Sequence, residues 1–169
     1  MRLDLGCGKH KKEGFIGVDC RAVEGVDVVC NLGVDVWPWG DETVDEIHSS
    51  HMIEHLTAPQ RIHFVNEAYR VMRRGAKMQL VTPHWASCRA YGDLTHQWPP
   101  VSEMWFYYLS RGWREAQAPH NDGYSCDFVA TWGYSLNPSL ATRAQDFRDF
   151  AVGNYKEAAQ DIIATLTKQ

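Results

Sequence analysis

One helix signal, enclosed by two strand-like runs, limits the fold more than any other feature of the sequence. Thr57 is placed to cap the helix, Pro59 fits its first turn, and Gly75 is expected just beyond its C-terminal end. Between them, apolar side chains recur at spacings of three and four and predict one buried stripe, which consists of Ile62, Val65, Tyr69 and Met72. Residues 44–49 precede the helix and residues 77–82 follow it, and both runs resemble strands. Strand, helix and strand in this order predict a βαβ unit with a right-handed crossover.

Three further strand-like runs come before this unit, at residues 2–5, 15–19 and 26–30, and one comes after it, at residues 126–135. With the βαβ unit, they predict an α/β fold with a Rossmann-like, mostly parallel sheet and flanking helices. Only residues 9–14 lie between the glycines after the first run and the start of the second. Because a parallel crossover usually takes about a dozen residues or more, the first crossover helix is predicted to be shortened or absent.

The rest of the chain is expected to be mainly helical apart from that late strand. Ser102 is placed to cap a short helix that ends at Gly112, and Pro138 to open a helix that runs to about Val152. Asn154 is then expected to cap a last helix, whose apolar face would consist of Tyr155, Ala159, Ile162, Ile163 and Leu166. A length of 169 residues fits one domain.

Composition excludes several classes of protein. Hydrophobic residues make up 44% of the chain and charged residues 22%, which is typical of a globular domain. The net charge of −4 provides no overall basic field for nucleic acid, and no apolar run is long enough to span a membrane. The five cysteines form no C-x-x-C pair, and an acid at Asp4 interrupts any signal-peptide pattern, so we expect a reduced, cytoplasmic protein.

The first strand-like run ends in the segment Leu3-Asp4-Leu5-Gly6-Cys7-Gly8. Glycines at a strand end let the backbone approach a ligand closely, beyond the carboxyl ends of the sheet. The full dinucleotide fingerprint would need a third glycine where Lys11 stands, so a nucleoside that carries an amino-acid tail suits the loop better than a pyrophosphate. Asp19 ends the second run, where a carboxylate can accept the ribose hydroxyls. Asn31 and Leu32 follow the third run, where an amide could bond the adenine edge and an apolar side chain could pack on its ring.

These segments together resemble the class I S-adenosylmethionine-dependent methyltransferases, of which this chain would be a small, N-terminally truncated member. The resemblance rests on the Gly-x-Gly segment, on Gly17-Val18-Asp19, on His51-Met52-Ile53-Glu54-His55-Leu56, and on the passage from Glu67 to Ala76. It covers residues 2–83, which would form the cofactor-binding half. Residues 84–136 would then be an aromatic-rich insertion on the substrate side followed by the late strand, and residues 137–169 C-terminal helices.

The resemblance implies methyl transfer from S-adenosylmethionine to an acceptor that the sequence does not identify. It implies that Gly6, Cys7 and Gly8 line the methionine part, with Asp4 bonding nearby amides. Asp19 would hold the ribose, and Asn31 and Leu32 would meet the adenine. Ser50 and His51 would form the floor of the pocket beneath the sulfonium. His84 and His96 are candidate general bases, because imidazole titrates near neutral pH.

Other interpretations stay open at this point. The segment His51-Met52-Ile53-Glu54-His55 matches the H-x-x-E-H pattern of a metal-dependent hydrolase, although no metal site is predicted. A nucleoside-binding accessory module without turnover and a nicotinamide-dependent oxidoreductase are further alternatives. A small-molecule acceptor is favoured, but the basic segment Lys9-His10-Lys11-Lys12 keeps a nucleic acid open. No membrane partner is expected, and a homodimer would cover the thin face of the sheet and the surplus of aromatic residues.

Overall fold

The computed structural model describes residues 1–169, and seven strands form its single sheet. The strands are β1 (Arg2–Leu5), β2 (Ile16–Asp19), β3 (Val28–Val29), β4 (Val44–Ser50), β5 (Met72–Pro83), β6 (Phe128–Leu136) and β7 (Ala159–Lys168). The helices are α1 (Ala58–Val71), α2 (Arg89–Gly92), α3 (Glu103–Tyr107), α4 (Arg111–Gln117) and α5 (Gln145–Asn154). Two 3₁₀ turns lie at Ile53–His55 and Pro138–Leu140. None of the helices combines the length and the apolar character that crossing a bilayer requires.

The strand order is β3-β2-β1-β4-β5-β7-β6. All pairings among β1 to β5 are parallel, whereas β7 is antiparallel to both β5 and β6. The predicted Rossmann-like, mostly parallel sheet is therefore confirmed. Its core joins buried side chains of the central strands, such as Leu5, Ile47 and Leu80, to Phe64 and Ala68 of α1.

Helix α1 lies where the sequence predicts it, but its buried face is rotated. The Thr57 backbone N–H donates to Gln60 Oε1 (2.9 Å), so the helix begins with a capping interaction. The buried positions are Arg61, Phe64, Val65, Ala68 and Val71, whereas Ile62 and Tyr69 of the predicted stripe are only half-buried. Met72 already belongs to β5, and Gly75 lies within that strand rather than at the helix end.

No helix links β1 to β2, as the short spacing predicted. The connection turns at Gly6 and returns through Phe15, which is buried against the sheet. The guanidinium of Arg2 and the ammonium of Lys12 lie over the Phe15 ring, 4.9 Å and 4.7 Å from its centroid. Two long cationic side chains thus cover the ring on a face of the sheet where a crossover helix would otherwise pack.

The expected last helix is wrong, because most of that segment forms the strand β7. The spacing of Ala159, Ile162, Ile163 and Leu166 suits a helix, but Ile162, Ala164 and Leu166 also alternate, and all three are fully buried. Because β7 pairs with β5 on one side and with β6 on the other, the segment adopts the strand that the alternation favours rather than a helix.

Two further helix boundaries also differ from the prediction. The helix expected from Ser102 to Gly112 is divided into α3 and α4, and Gly112 lies inside α4. The helix expected from Pro138 is a short 3₁₀ turn followed by α5, which continues through Gly153.

Candidate functional site

A cavity of about 670 Å³ lies beyond the carboxyl ends of β1, β2 and β4. This is the edge of an open α/β sheet at which ligands usually bind, and the volume is typical of a small-molecule site. Seven of the nine residues predicted to bind the cofactor line it: Gly6, Cys7, Gly8, Asp19, Asn31, Leu32 and His51.

The glycine loop forms one wall of this cavity. The backbone N–H groups of Gly6 and Cys7 both donate to the Val18 carbonyl (2.7 and 3.2 Å), which folds the loop over β2. Gly6 has a φ of +74°, and a Cβ placed on it would lie 2.2 Å from the Cγ of Met52, so the turn requires glycine. Burial, with the nearby Asp4 and Asp19 carboxylates, raises the pKa of the Cys7 thiol. The thiol therefore lacks the activation that a nucleophilic cysteine requires.

Asp19 stands at the end of β2, with only 7% of its surface exposed. Its Oδ2 accepts a hydrogen bond from the Gly8 N–H (3.1 Å), and its Oδ1 accepts one from the Arg21 N–H (3.0 Å). These bonds fix the carboxylate beside the glycine loop. Oδ1 also accepts a weak bond from the Cys20 thiol (3.7 Å), whereas Oδ2 accepts only the Gly8 bond and so retains capacity for a ligand in the cavity.

Asn31 and Leu32 lie where the chain leaves β3. Leu32 is 4% exposed and belongs to the hydrophobic core, so it presents a fixed apolar surface to the cavity. The Asn31 side chain accepts a bond from the Gly33 N–H (3.3 Å) and is otherwise exposed. The pair therefore offers an apolar surface beside an amide, as an adenine ring would require.

Asp4 and Ser50, the other two predicted cofactor residues, lie outside the cavity lining. Asp4 accepts a hydrogen bond from the Lys12 N–H (2.7 Å) and contacts His48 Nδ1 (2.7 Å), so it fastens the loop and β4 to β1. Ser50 pairs with Val81 within the sheet. Asp4 thus supports the glycine loop from below.

His51 and Glu54 form a contact at the end of β4. His51 Nδ1 lies 3.2 Å from Glu54 Oε1, and this hydrogen bond raises the pKa of His51 against the opposing effect of burial. His51 has a φ of +53° and precedes the 3₁₀ turn, so His51 and His55 do not share a helix face. The helical geometry of an H-x-x-E-H hydrolase is therefore absent.

The two candidate bases lie outside the cavity lining. His84 is 1% exposed, its Nδ1 accepts from the Ala86 N–H (3.1 Å), and its Nε2 lies 2.8 Å from Glu103 Oε1. Both of its nitrogens are thus engaged within the protein. His96 lies nearer, with its ring 4.7 Å from that of His55, which does line the cavity.

Several residues of the site were not predicted. Met52, His55, Leu56, Gln60 and Thr95 also line the cavity. His55 and Thr95 are next to residues that the sequence analysis discussed. Their contact with each other, however, depends on how the segment after α2 folds back towards the 3₁₀ turn. The sequence analysis also did not identify Arg61 as a residue that supports the site. Its only indication in the sequence is its position on the same helix face as the apolar residues Phe64, Val65 and Ala68.

Comparison with known proteins agrees with this geometry. Residues 11–80 match the family model of a methyltransferase domain. A SAM-dependent methyltransferase from Archaeoglobus fulgidus superposes with a TM-score of 0.70 at 19% identity, over 99% of this chain and 85% of that one. A possible histamine N-methyltransferase from Thermotoga maritima gives 0.61 at 17% identity, over 99% and 81%. A SAM-dependent methyltransferase from Methanosarcina mazei gives a TM-score of 0.58 at 14% identity, over 99% of this chain and 91% of that one.

No curated protein sequence matches the chain. The fold is nevertheless that of the class I S-adenosylmethionine-dependent methyltransferases, and the match at residues 11–80 lies entirely within residues 2–83, the half of the chain that carried the resemblance. The predicted resemblance is confirmed at the level of the fold, and S-adenosylmethionine is the cofactor named for the three structures of similar fold.

Proposed function

We propose that the protein is a methyltransferase that transfers a methyl group from S-adenosylmethionine to a small-molecule acceptor. One observation carries the proposal. The glycine loop and the Asp19 carboxylate are hydrogen-bonded to each other at the wall of one cavity, at the ligand-binding edge of a methyltransferase fold.

The cavity can hold the three parts of the cofactor in one orientation. Asp19 accepts the ribose hydroxyls, while Asn31 and Leu32 meet the adenine. Gly6, Cys7 and Gly8 line the methionine part, since no Cβ at Gly6 or Gly8 stands between backbone and ligand. His51 lies beneath the sulfonium, with Asp4 and Ser50 supporting the loop and the strand end.

When bound, the cofactor supplies an electrophilic methyl group on a sulfonium. The protein then has to align an acceptor opposite the departing sulfur, and such alignment can contribute about 7–11 kcal/mol of the barrier. His55 and Thr95 line the cavity and so adjoin the acceptor, while His96 lies behind His55. His84 would hold the neighbouring strand end through Glu103. A cytoplasmic location and a homodimer stay predictions of the sequence.

The test has two stages on the purified chain. Isothermal titration with S-adenosylhomocysteine and with NAD should show binding of the first only. Incubation with cofactor labelled in the methyl group and a pool of small hydroxyl and amine metabolites should then give a labelled product. NAD binding alone would support an oxidoreductase, and binding of S-adenosylhomocysteine without transfer from any pool would support the accessory module.

A further inference from the structure

Three potential metal ligands converge at the rim of the cavity. A carboxylate oxygen of Glu54 and one ring nitrogen each of His55 and His96 lie within 4.8 Å of one another. Glu54 and His55 come from the 3₁₀ turn after β4, whereas His96 comes from the segment after α2. The fold thus brings one carboxylate and two imidazoles together from two segments that are about forty residues apart in the sequence.

The hydrogen bonds around the two imidazoles involve Nδ1 of each ring and leave Nε2 of each without a hydrogen bond, although His96 Nε2 lies 3.9 Å from Asp93 Oδ2. Thr95 Oγ1 lies 2.7 Å from Asp93 Oδ1 and 2.9 Å from His55 Nδ1. Because an ionised carboxylate only accepts, the hydroxyl donates to Asp93, and His55 Nδ1 must carry the proton that bonds to the hydroxyl oxygen. His96 Nδ1 lies 3.2 Å from the Ala90 carbonyl, which also only accepts. In the neutral form of each ring, Nε2 is therefore the unprotonated nitrogen, and such outer hydrogen bonds are typical of metal-binding histidines.

The third group is a buried carboxylate with little compensation. Glu54 is 4% exposed, and its only ion-pair partner is His51, because neither Lys nor Arg reaches its carboxylate. Its other oxygen accepts from the Thr82 hydroxyl (3.2 Å). Burial of a carboxylate is costly unless a cation or a metal compensates it.

Arg61 holds the two segments in place from behind. Its guanidinium donates to the carbonyls of Ile53 (3.1 Å), Glu54 (3.3 Å) and Gln97 (3.0 Å). The Gln97 N–H in turn donates to the Glu54 carbonyl (2.8 Å). The backbone on both sides of the cluster is therefore fixed before any ligand binds.

From this arrangement we infer that Glu54, His55 and His96 bind a divalent first-row transition-metal cation. Two imidazoles and a carboxylate form a donor set that suits such ions and differs from the all-oxygen sets that magnesium and calcium prefer. Three protein ligands leave coordination positions open, and His55 places them against the cavity. We assign these open coordination positions to a donor atom of the methyl acceptor, and this assignment rests on the proposed function. The sequence predicted no metal site, because His96 is far from the motif along the chain.

The test is direct metal binding to chelator-treated protein. Titration with Co²⁺, followed by its visible absorption bands, should show a single saturable site that Zn²⁺ displaces. Glu54→Gln, His55→Ala and His96→Ala should each abolish saturation. His120→Ala is the matched control, since His120 is exposed and its side chain forms no hydrogen bond. Unchanged cobalt binding in the three ligand variants would overturn the inference.

A second variant guards against loss of folding. Thr95→Val keeps the shape of the side chain, removes the bond that orients His55, and should weaken cobalt binding by about 10–100-fold. Undiminished affinity in Thr95→Val would contradict the assigned tautomer and the site with it. Titration of the same samples with S-adenosylhomocysteine separates the two proposals. Cofactor binding without cobalt binding refutes the metal site alone, and cobalt binding without cofactor binding refutes the proposed function alone.

Discussion

Substitution of Asp19 by alanine tests the placement of the cofactor most sharply. The carboxylate bonds the Gly8 and Arg21 backbone amides within the protein, and in the proposed complex it also accepts the ribose hydroxyls. Asp19→Ala removes the acceptors for both sets of donors. The amide of Gly8 is only half-buried and can turn to water, so the larger effect should fall on the ligand.

The expected loss follows from the number and kind of bonds. Hydrogen bonds to a charged group contribute about 1.5–3 kcal/mol, and the carboxylate is 7% exposed, so water replaces it poorly. This range corresponds to a loss of about 10–140-fold in affinity for S-adenosylhomocysteine. Asp19→Asn keeps one acceptor oxygen and should lose less.

Isothermal titration of the wild type, Asp19→Ala and Asp19→Asn measures this loss, with thermal unfolding to confirm that each variant is folded. Asp122→Ala provides the control, because Asp122 is exposed and bonds to nothing else in the chain. If Asp19→Ala melts like the wild type and its affinity changes by less than about twofold, or about 0.4 kcal/mol, the ribose lies elsewhere.

Two further predictions concern the supports of the site. Arg61→Met should lower the free energy of unfolding by about 1–3 kcal/mol, because the Gln97 carbonyl loses its donor, whereas the Ile53 and Glu54 carbonyls keep the N–H groups of Leu56 and Gln97. Urea denaturation measures this, and the exposed Arg74→Met should change it by less than about 0.5 kcal/mol. Burial alone would raise the pKa of Glu103, but the His84 hydrogen bond and the backbone outweigh it and lower the pKa from 4.5 to about 2. A carboxyl with a lowered folded-state pKa stabilises the fold above its unfolded value and loses this effect as the pH falls towards the folded one. The stability difference between wild type and Glu103→Gln should therefore shrink between pH 4.5 and about 2, and a difference that stays constant in urea titrations would show that the pair with His84 contributes nothing.

The glycine-loop side of the cavity was predictable because the residues that form it follow from local sequence patterns. A Gly-x-Gly segment at one strand end and an acid at the next meet at the same sheet edge whatever follows, since parallel strands align their carboxyl ends. The position of Gly6, Gly8 and Asp19 at the cavity could therefore be predicted without knowing any contact between distant parts of the chain.

The side of the cavity formed by His55 and Thr95 was not predictable in this way. The convergence of His55 and His96 depends on Arg61, whose burial in an apolar helix face contradicts the usual preference of arginine. The strand β7 was missed for a similar reason. Its residues satisfy both the helical and the strand period, and only pairing with residues 77–83 and 128–136 selects the strand.

The position of β7 between β5 and β6 has a consequence for biosynthesis. Residues 128–136 leave the ribosome before residues 159–168, which form their only partner in the sheet. During that interval a nascent chain carries the free edge of β5 and an unpaired hydrophobic segment, and both are surfaces at which chains associate. Translation must therefore proceed past the last strand before the polypeptide is protected from aggregation.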